Sequence, residues 1–509
     1  MISAARSRLA IPVQFAFLVV NGLGIFTSIV YDTNTPDLYP NNSHHKIGWA
    51  ITWIAIVWIL LGFVTFFSNN KRSSAPGGDS ITSQNLAQYQ QLNNYSLRED
   101  YRFSRDSAQR SESDATLFSP SRTNSADSIN QKPEAPLEPS DDHHDQDEHL
   151  NDSENHGFIS NSRVDRFLSN RIPRLSAGRT LTAIKIVYVV LERFQPILGF
   201  LAIATGFITW WGIFHPSGLF NGLAHWIKGA LFAWYGIVTL GRWMGAFCDF
   251  GWAWNVRPDY PRVTRFASRM PSCEFVESFL FFFYGASNVF LEHLGRPSGA
   301  PWEMADFEHV AITIMFFGGG LLGMLIESKT ARHFLNSNIL IKQEESARYI
   351  GPVEAQKEEW TEPKQYTTSL NPMPGLVVIL LGLMMSSHSQ DSMISSMVHK
   401  QWGMLLMCAG LARGVTYILM YLNPPTSHFP SRPPSEIVAA FCLVAGGLVF
   451  MASTRDVVIM LEHSAVDAMF TFTVGMGLTG VILAWTTILY GIKGWAHRRE
   501  AQRASAEAF

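Results

Sequence analysis

Histidine is the residue type whose placement in this chain points most directly to chemistry. His44, His45, His215, His225, His293, His309, His388, His399 and His463 all sit in or beside long apolar runs. Neutral imidazole is the commonest protein metal ligand, and it also holds haem iron axially. Met384, Met385, Met393 and Met397 surround His388 and His399. Thioether with imidazole suits Cu(I), although methionine is also ordinary core filler. His463 and Asp467 are spaced as one turn of a helix, which is compatible with shared ligation. The expected ligands are therefore His44, His45, His225, His309, His388, His399, His463 and Asp467, with haem b, copper or iron as the group held. For any single histidine the competing reading is a hydrogen-bonded side chain at a membrane interface. Glu277 and Arg413 carry a second possibility. Ionisable groups at membrane depth are costly and tend to mark polar paths, unless they snorkel or form a structural pair.

Positioning such groups falls to apolar runs at roughly 9–31, 47–67, 194–214, 222–247, 274–293, 308–328, 373–390, 399–422, 435–453 and 463–490. A span needs about 20 mostly apolar residues, and in lipid each must be helical because unpaired backbone groups are not tolerated. The expected fold is all-α, a polytopic membrane helix bundle of about ten spans. Arg6, Arg8, Lys71, Arg72, Arg171, Arg174, Arg179, Arg257, Arg262, Arg265, Arg269, Lys329, Arg332, Lys493, Arg498 and Arg499 then fall on one side, which predicts cytosolic termini. Asn41-Asn42-Ser43 places a glycosylation sequon at Asn41 on the other side. With this orientation every histidine in or beside a span lies at an outer end.

The chain has 509 residues and a formal net charge of −3, which gives no reason to expect nucleic acid. The expected environment is the lipid bilayer, in the secretory pathway or plasma membrane rather than the mitochondrion. Cys248, Cys273, Cys408 and Cys442 form no close pair, so neither a disulfide framework nor a cysteine zinc site is expected. Residues 68–180 are rich in Ser, Asn, Asp and Gln and cannot bury enough apolar surface to offset ordering entropy. They are expected to be a disordered cytosolic loop open to kinases. No nucleophile triad, phosphate loop or nicotinamide fingerprint stands out, and Gly318-Gly319-Gly320 lacks the strand context such motifs need.

Two stretches match each other. His225, Gly229 and Gly236 recur as His399, Gly403 and Gly410; Glu274 and Phe279 as Glu436 and Phe441; Glu308-His309 as Glu462-His463. The order of the matches predicts two parallel four-helix repeats. The organisation read from this is 1–67, two N-terminal spans; 68–180, the polar loop; 181–330, repeat 1; 331–371, a linker; 372–498, repeat 2; and 499–509, a tail.

The run Thr35-Pro36-Asp37-Leu38-Tyr39 with His44-His45-Lys46-Ile47-Gly48-Trp49 resembles the fungal Ytp-one-like integral membrane proteins. So do Asn221 to Gly229, Met385-Ser386-Ser387-His388-Ser389-Gln390 and His399-Lys400-Gln401-Trp402-Gly403. The resemblance covers nearly all the apolar chain and implies a fold and a membrane address rather than an activity. It also implies a preceding histidine-bearing helix, which would lie before Met1. The N-terminal part is distantly similar to cytochrome b561 and ferric reductase membrane domains, whose helix histidines hold haem. The function expected is a redox or electron-transfer protein using the outer histidines; a transporter built on the repeat, or a non-catalytic scaffold, are the alternatives.

Overall fold

The computed structural model describes residues 9–36, 43–73, 179–214, 219–291, 301–302, 304–350, 363–388, 390 and 392–506. Asn41, His215, His293 and nearly all of the polar insert lie outside the described residues, as do the expectations attached to them.

The apolar runs become helices. In chain order they are α1 Ala10–Asn34, α2 Ser43–Ser73, α3 Arg179–Trp211, α4 Leu219–Trp243, α5 Arg265–Arg269, α6 Cys273–Leu291, α7 Met304–Glu327, α8 Lys329–Leu335, α9 Ser337–Ile350, α10 Met373–Ser387, α11 Met393–Leu422, α12 Pro434–Ala452, α13 Arg455–His463 and α14 Ala468–Ala506. Among the described residues no strand forms. Prolines set two of the starts: Pro374 lies in the first turn of α10 and Pro434 opens α12, where the missing N–H costs nothing. Seven helices (α1, α2, α3, α7, α11, α12 and α14) are long and apolar enough to cross a membrane by length and composition. Of the other three runs, α10 is apolar but short, while α4 and α6 carry Lys228, Arg242, Glu274 and Glu277, which lower their mean hydropathy. Val20, Phe26, Trp210 and Val481 are each about two-thirds exposed. Apolar surface on that scale calls for lipid rather than water.

The chain divides into two compact units. One comprises residues 1–54 and 194–498; the other, residues 55–193 and 499–509. Within the smaller unit, Trp58 of α2 stacks on Tyr188 of α3 at 6.3 Å between ring centroids. The larger unit holds the core, in which α4 packs on α12, α12 on α11, α11 on α10, α10 on α7 and α7 on α6. Trp402, Leu406, Val398, Val377 and Val449 are fully buried there.

Glycines set the closeness of these crossings. A methyl group at Gly229 would lie 2.6 Å from the Gly447 carbonyl oxygen, and one at Gly403 would lie 2.6 Å from that of Gly382. Close helix approach of this kind is what small residues provide in lipid. Gly229 faces α12 whereas its sequence counterpart Gly403 faces α10.

One expectation is corrected. His463 and Asp467 do not share a helical face, because α13 ends at His463 and α14 begins at Ala468. Ala465 between them has φ +53°, and Asp467 caps α14 by accepting the Phe470 N–H at 2.8 Å. Residues 331–371, read as a linker, hold most of α8 and all of α9.

Candidate functional site

Four helices bring ionisable side chains together inside the core unit. Arg242 comes from the last turn of α4, Glu274 and Glu277 from the first turns of α6, Arg413 from α11 and Glu436 from the first turn of α12. All are buried, Glu436 with no exposed surface at all. Arg242 Nη2 donates to Glu274 at 2.8 Å, its Nη1 to Glu277 at 3.0 Å and its Nε to the Trp252 carbonyl at 2.7 Å. Its guanidinium is thus matched on every side. Arg413 is divided. Its Nη1 reaches the two Glu277 oxygens at 3.3 and 3.4 Å, and its Nη2 reaches Thr239 Oγ1 at 3.4 Å. Its Nε lies 2.6 Å from Glu436 Oε1 without the alignment of a hydrogen bond, so that contact is Coulombic. Neither Glu436 oxygen has a hydrogen-bond partner among the described residues.

Trp254 closes one side of this layer. Its ring lies 4.2 Å from the Arg242 guanidinium carbon and 5.7 Å from that of Arg413. Its φ of +51° is unusual for a bulky residue and is held by the surrounding loop. A void of about 10 Å³, lined by Tyr235, Arg413, Gly375, Ala409 and Ala439 among others, adjoins the layer. That is about the space one water molecule needs.

Histidines gather elsewhere in the same unit. The rings of His225 in α4 and His399 in α11 lie 6.2 Å apart and nearly perpendicular. Those of His309 in α7 and His388 after α10 lie 6.3 Å apart, and His388 pairs with Glu308. His399 is buried, and its Nδ1 is engaged with the Ser395 carbonyl at 2.8 Å. Trp402 and Phe450, stacked at 4.1 Å, pack beside the first pair. The other expected ligands are placed differently. His44 Nδ1 meets Thr205 Oγ1 of α3 at 2.8 Å, whereas His45 and His463 are exposed. Among the described residues no three or more His, Cys, Asp or Glu side chains converge as a metal site would require.

The sequence that forms these helices matches known sequences. The family described as "Protein YTP1-like, C-terminal" matches residues 198–494. The chain belongs to the YTP1-like family. A second family, "Domain of unknown function (DUF2427)", matches residues 1–68. The chain is 33% identical to the "Uncharacterized membrane protein C3B8.06" of Schizosaccharomyces pombe, over 98% of this chain and 91% of that one. It is 38% identical to the "Uncharacterized membrane protein YCR061W" of Saccharomyces cerevisiae, over 54% of this chain and 43% of that one. To "Protein YTP1" of the same yeast it is 24% identical, over 53% and 48%. No solved structure matches.

The YTP1-like segment contains the whole charge layer and both histidine pairs, while His44 and His45 fall in the other matched segment. Glu277 and Arg413, expected as polar path residues, meet each other, which sequence spacing alone does not say. Arg242, Glu274 and Glu436 were missed as partners. The readable signal was the match between the two stretches beginning at Glu274 and Glu436, each a glutamate in the first turn of its helix, α6 and α12.

The loops beside the layer are ordered by each other. Val256 N–H donates to the Ser427 carbonyl at 2.9 Å, and Asn255 Nδ2 donates to the His428 carbonyl at 3.0 Å. Arg257 donates to the Phe250 carbonyl at 2.9 Å, and partial burial pushes its pKa down despite nearby Asp259. Burial pushes the Cys248 thiol up to about 11.

Proposed function

We propose that this YTP1-like protein is a membrane transporter in which the buried charge layer binds and releases a proton or small cation. The observation that carries the reading is the imbalance of the layer. Three carboxylates share two guanidiniums, and the third, Glu436, has no hydrogen-bond partner among the described residues. An uncompensated buried charge costs several kcal/mol, about 3–5 by measurements that break buried pairs. A bound proton or cation at the surplus carboxylate removes that cost. Arg413 contacts both Glu277 and Glu436, so neutralising Glu436 lets the guanidinium turn wholly to Glu277. That is a two-position element of the kind coupled transport requires. Its setting is the expected bundle of about ten spans with cytosolic termini.

The test is flux into proteoliposomes holding the purified protein and a pH-sensitive dye. Gradient-driven proton movement should be present in the unmodified protein and absent in Glu436→Gln. Vesicles no leakier than protein-free ones would overturn the reading.

A second reading rests on the first histidine pair. Engagement of His399 Nδ1 by a backbone carbonyl leaves Nε2 as the ligating atom, with His225 beside it. Haem b, copper or iron held there would give a redox role. A Soret band or stoichiometric metal lost in His225→Ala and His399→Ala would favour it, and a colourless, metal-free preparation would sink it.

A further inference from the structure

We infer that the interlocked loops after α4 and α11 form a binding surface for the phosphate headgroups of anionic phospholipids. The surface lies where α4 and α11 end and α6 and α12 begin, so in a bilayer it sits at the headgroup level. Its cations are Arg262, Arg265 and Arg269 from the first loop and Arg432 from the second, all exposed. Among the described residues none of the four forms an ion pair with a carboxylate. They are held in place by other means. Arg262 Nη1 lies 3.3 Å from His428 Nε2 across the two loops. The Arg265 guanidinium lies 5.2 Å from the Tyr260 ring centre, and that of Arg432 lies 5.8 Å from the Trp243 ring centre. Arg265 and Arg269 sit one turn apart on α5, whose start is capped by Thr264.

Three further features favour a lipid over a soluble anion. Phe266, Phe429 and Tyr260 project from the same loops and are 69%, 72% and 56% exposed. Aromatic side chains interleaved with arginines suit the boundary between headgroups and acyl chains. Asp249 and Asp259 are the acidic side chains of these loops, and with Arg257 included the balance is five arginines to two aspartates, a surplus of three positive charges. Finally, the loops are rigid, because backbone and side-chain bonds join residues 253–256 to residues 427–431. The cations are therefore ordered before any ligand arrives, which lowers the entropic cost of binding. Cation clusters beside a membrane span recognise anionic headgroups in this manner.

The experiment is native mass spectrometry of the purified full chain in detergent, titrated with phosphatidylinositol 4-phosphate or with phosphatidylcholine. Preferential retention of the phosphoinositide is expected. It should fall by at least about tenfold, and by up to about 600-fold if all four contribute fully, when Arg262, Arg265, Arg269 and Arg432 are changed to Gln, since each exposed arginine near a headgroup contributes up to about fivefold. Should that variant fail to fold, the unmodified protein answers through salt. Raising ionic strength from about 0.1 M to about 1 M shortens the screening length from about 10 Å to about 3 Å and should abolish the preference. Equal retention of the two lipids, or retention unchanged by the substitutions or by salt, would overturn the inference. So would displacement by soluble inositol phosphate at equal concentration, because the site would then take a free phosphate and not a lipid.

Discussion

Arg413 Nε of α11 lies 2.6 Å from Glu436 Oε1 of α12, and the Glu436 carboxylate has no exposed surface. The two partners differ in how much else depends on them. Arg413 also serves Glu277 and Thr239, whereas Glu436 has no hydrogen-bond partner among the described residues. Their substitutions should therefore have unequal effects. Arg413→Gln leaves three carboxylates against one guanidinium and should cost about 3–5 kcal/mol. Glu436→Gln leaves two carboxylates against two guanidiniums and should cost no more than about 1 kcal/mol, a shift of a few degrees in midpoint. Thermal unfolding of both variants in detergent, followed by size-exclusion fluorescence, measures the difference. Equal destabilisation would show that Glu436 is a structural member of the layer.

The glycine crossings allow a similar contrast. At Gly229 an added Cβ would meet the Gly447 carbonyl oxygen at 2.6 Å and Met451 Cγ at 2.7 Å; at Gly318 it would meet nothing within 4 Å. Gly229→Leu should force α4 and α12 apart at a cost of about 1–3 kcal/mol or more. Gly318→Leu should be tolerated. The yield of monodisperse protein reports both, and comparable loss from the two variants would mean that close approach is not what Gly229 provides.

Much of this fold was legible because its signals are local. Each of the ten apolar runs coincides largely with part of a helix, and prolines before α10 and α12 mark their starts as helix chemistry requires. The break at residues 464–467 was less visible, since Ser464-Ala465-Val466 holds neither Gly nor Pro. Asp467 before an apolar run was a readable cap, but its spacing from His463 suggested a shared helix instead. The site was half legible for a different reason. A lone glutamate or arginine in an apolar run announces itself, as Glu277 and Arg413 did. Which helices then lie side by side is set by long-range packing, and the placing of α4 against α12 has no local signature. His225 and His399 were readable as matching positions of two similar stretches, yet their meeting at 6.2 Å depends on the same packing.

Orientation is open to a direct check. The lysine and arginine distribution and the sequon at Asn41 both lead to the expectation that the segment between α1 and α2 faces the outer side. Expressed in a fungal host, the protein should lose apparent mass on glycosidase treatment, and Asn41→Gln should show no such loss. A treated and an untreated protein of identical mobility would remove this support for cytosolic termini.

Cys248 gives a prediction with a defined sign in pH. Burial raises its thiol pKa to about 11; Asp249 pushes in the same direction, and Arg432 opposes them. The thiolate is the reactive form, so alkylation by iodoacetamide should be slow near neutral pH and rise about tenfold per pH unit until roughly the pKa. Removing the opposing charge by Arg432→Gln should raise the pKa further and slow the reaction at any fixed pH below it. Asp249→Asn should lower the pKa and hasten the reaction. Peptide mapping after timed labelling isolates Cys248 from the other cysteines. Fast labelling at neutral pH, or identical rates in the two variants, would mean that Arg432 does not lie over this loop as the Trp243 contact places it. Such a result would count against the arginine surface as well, because Arg432 is the cation contributed by the second loop.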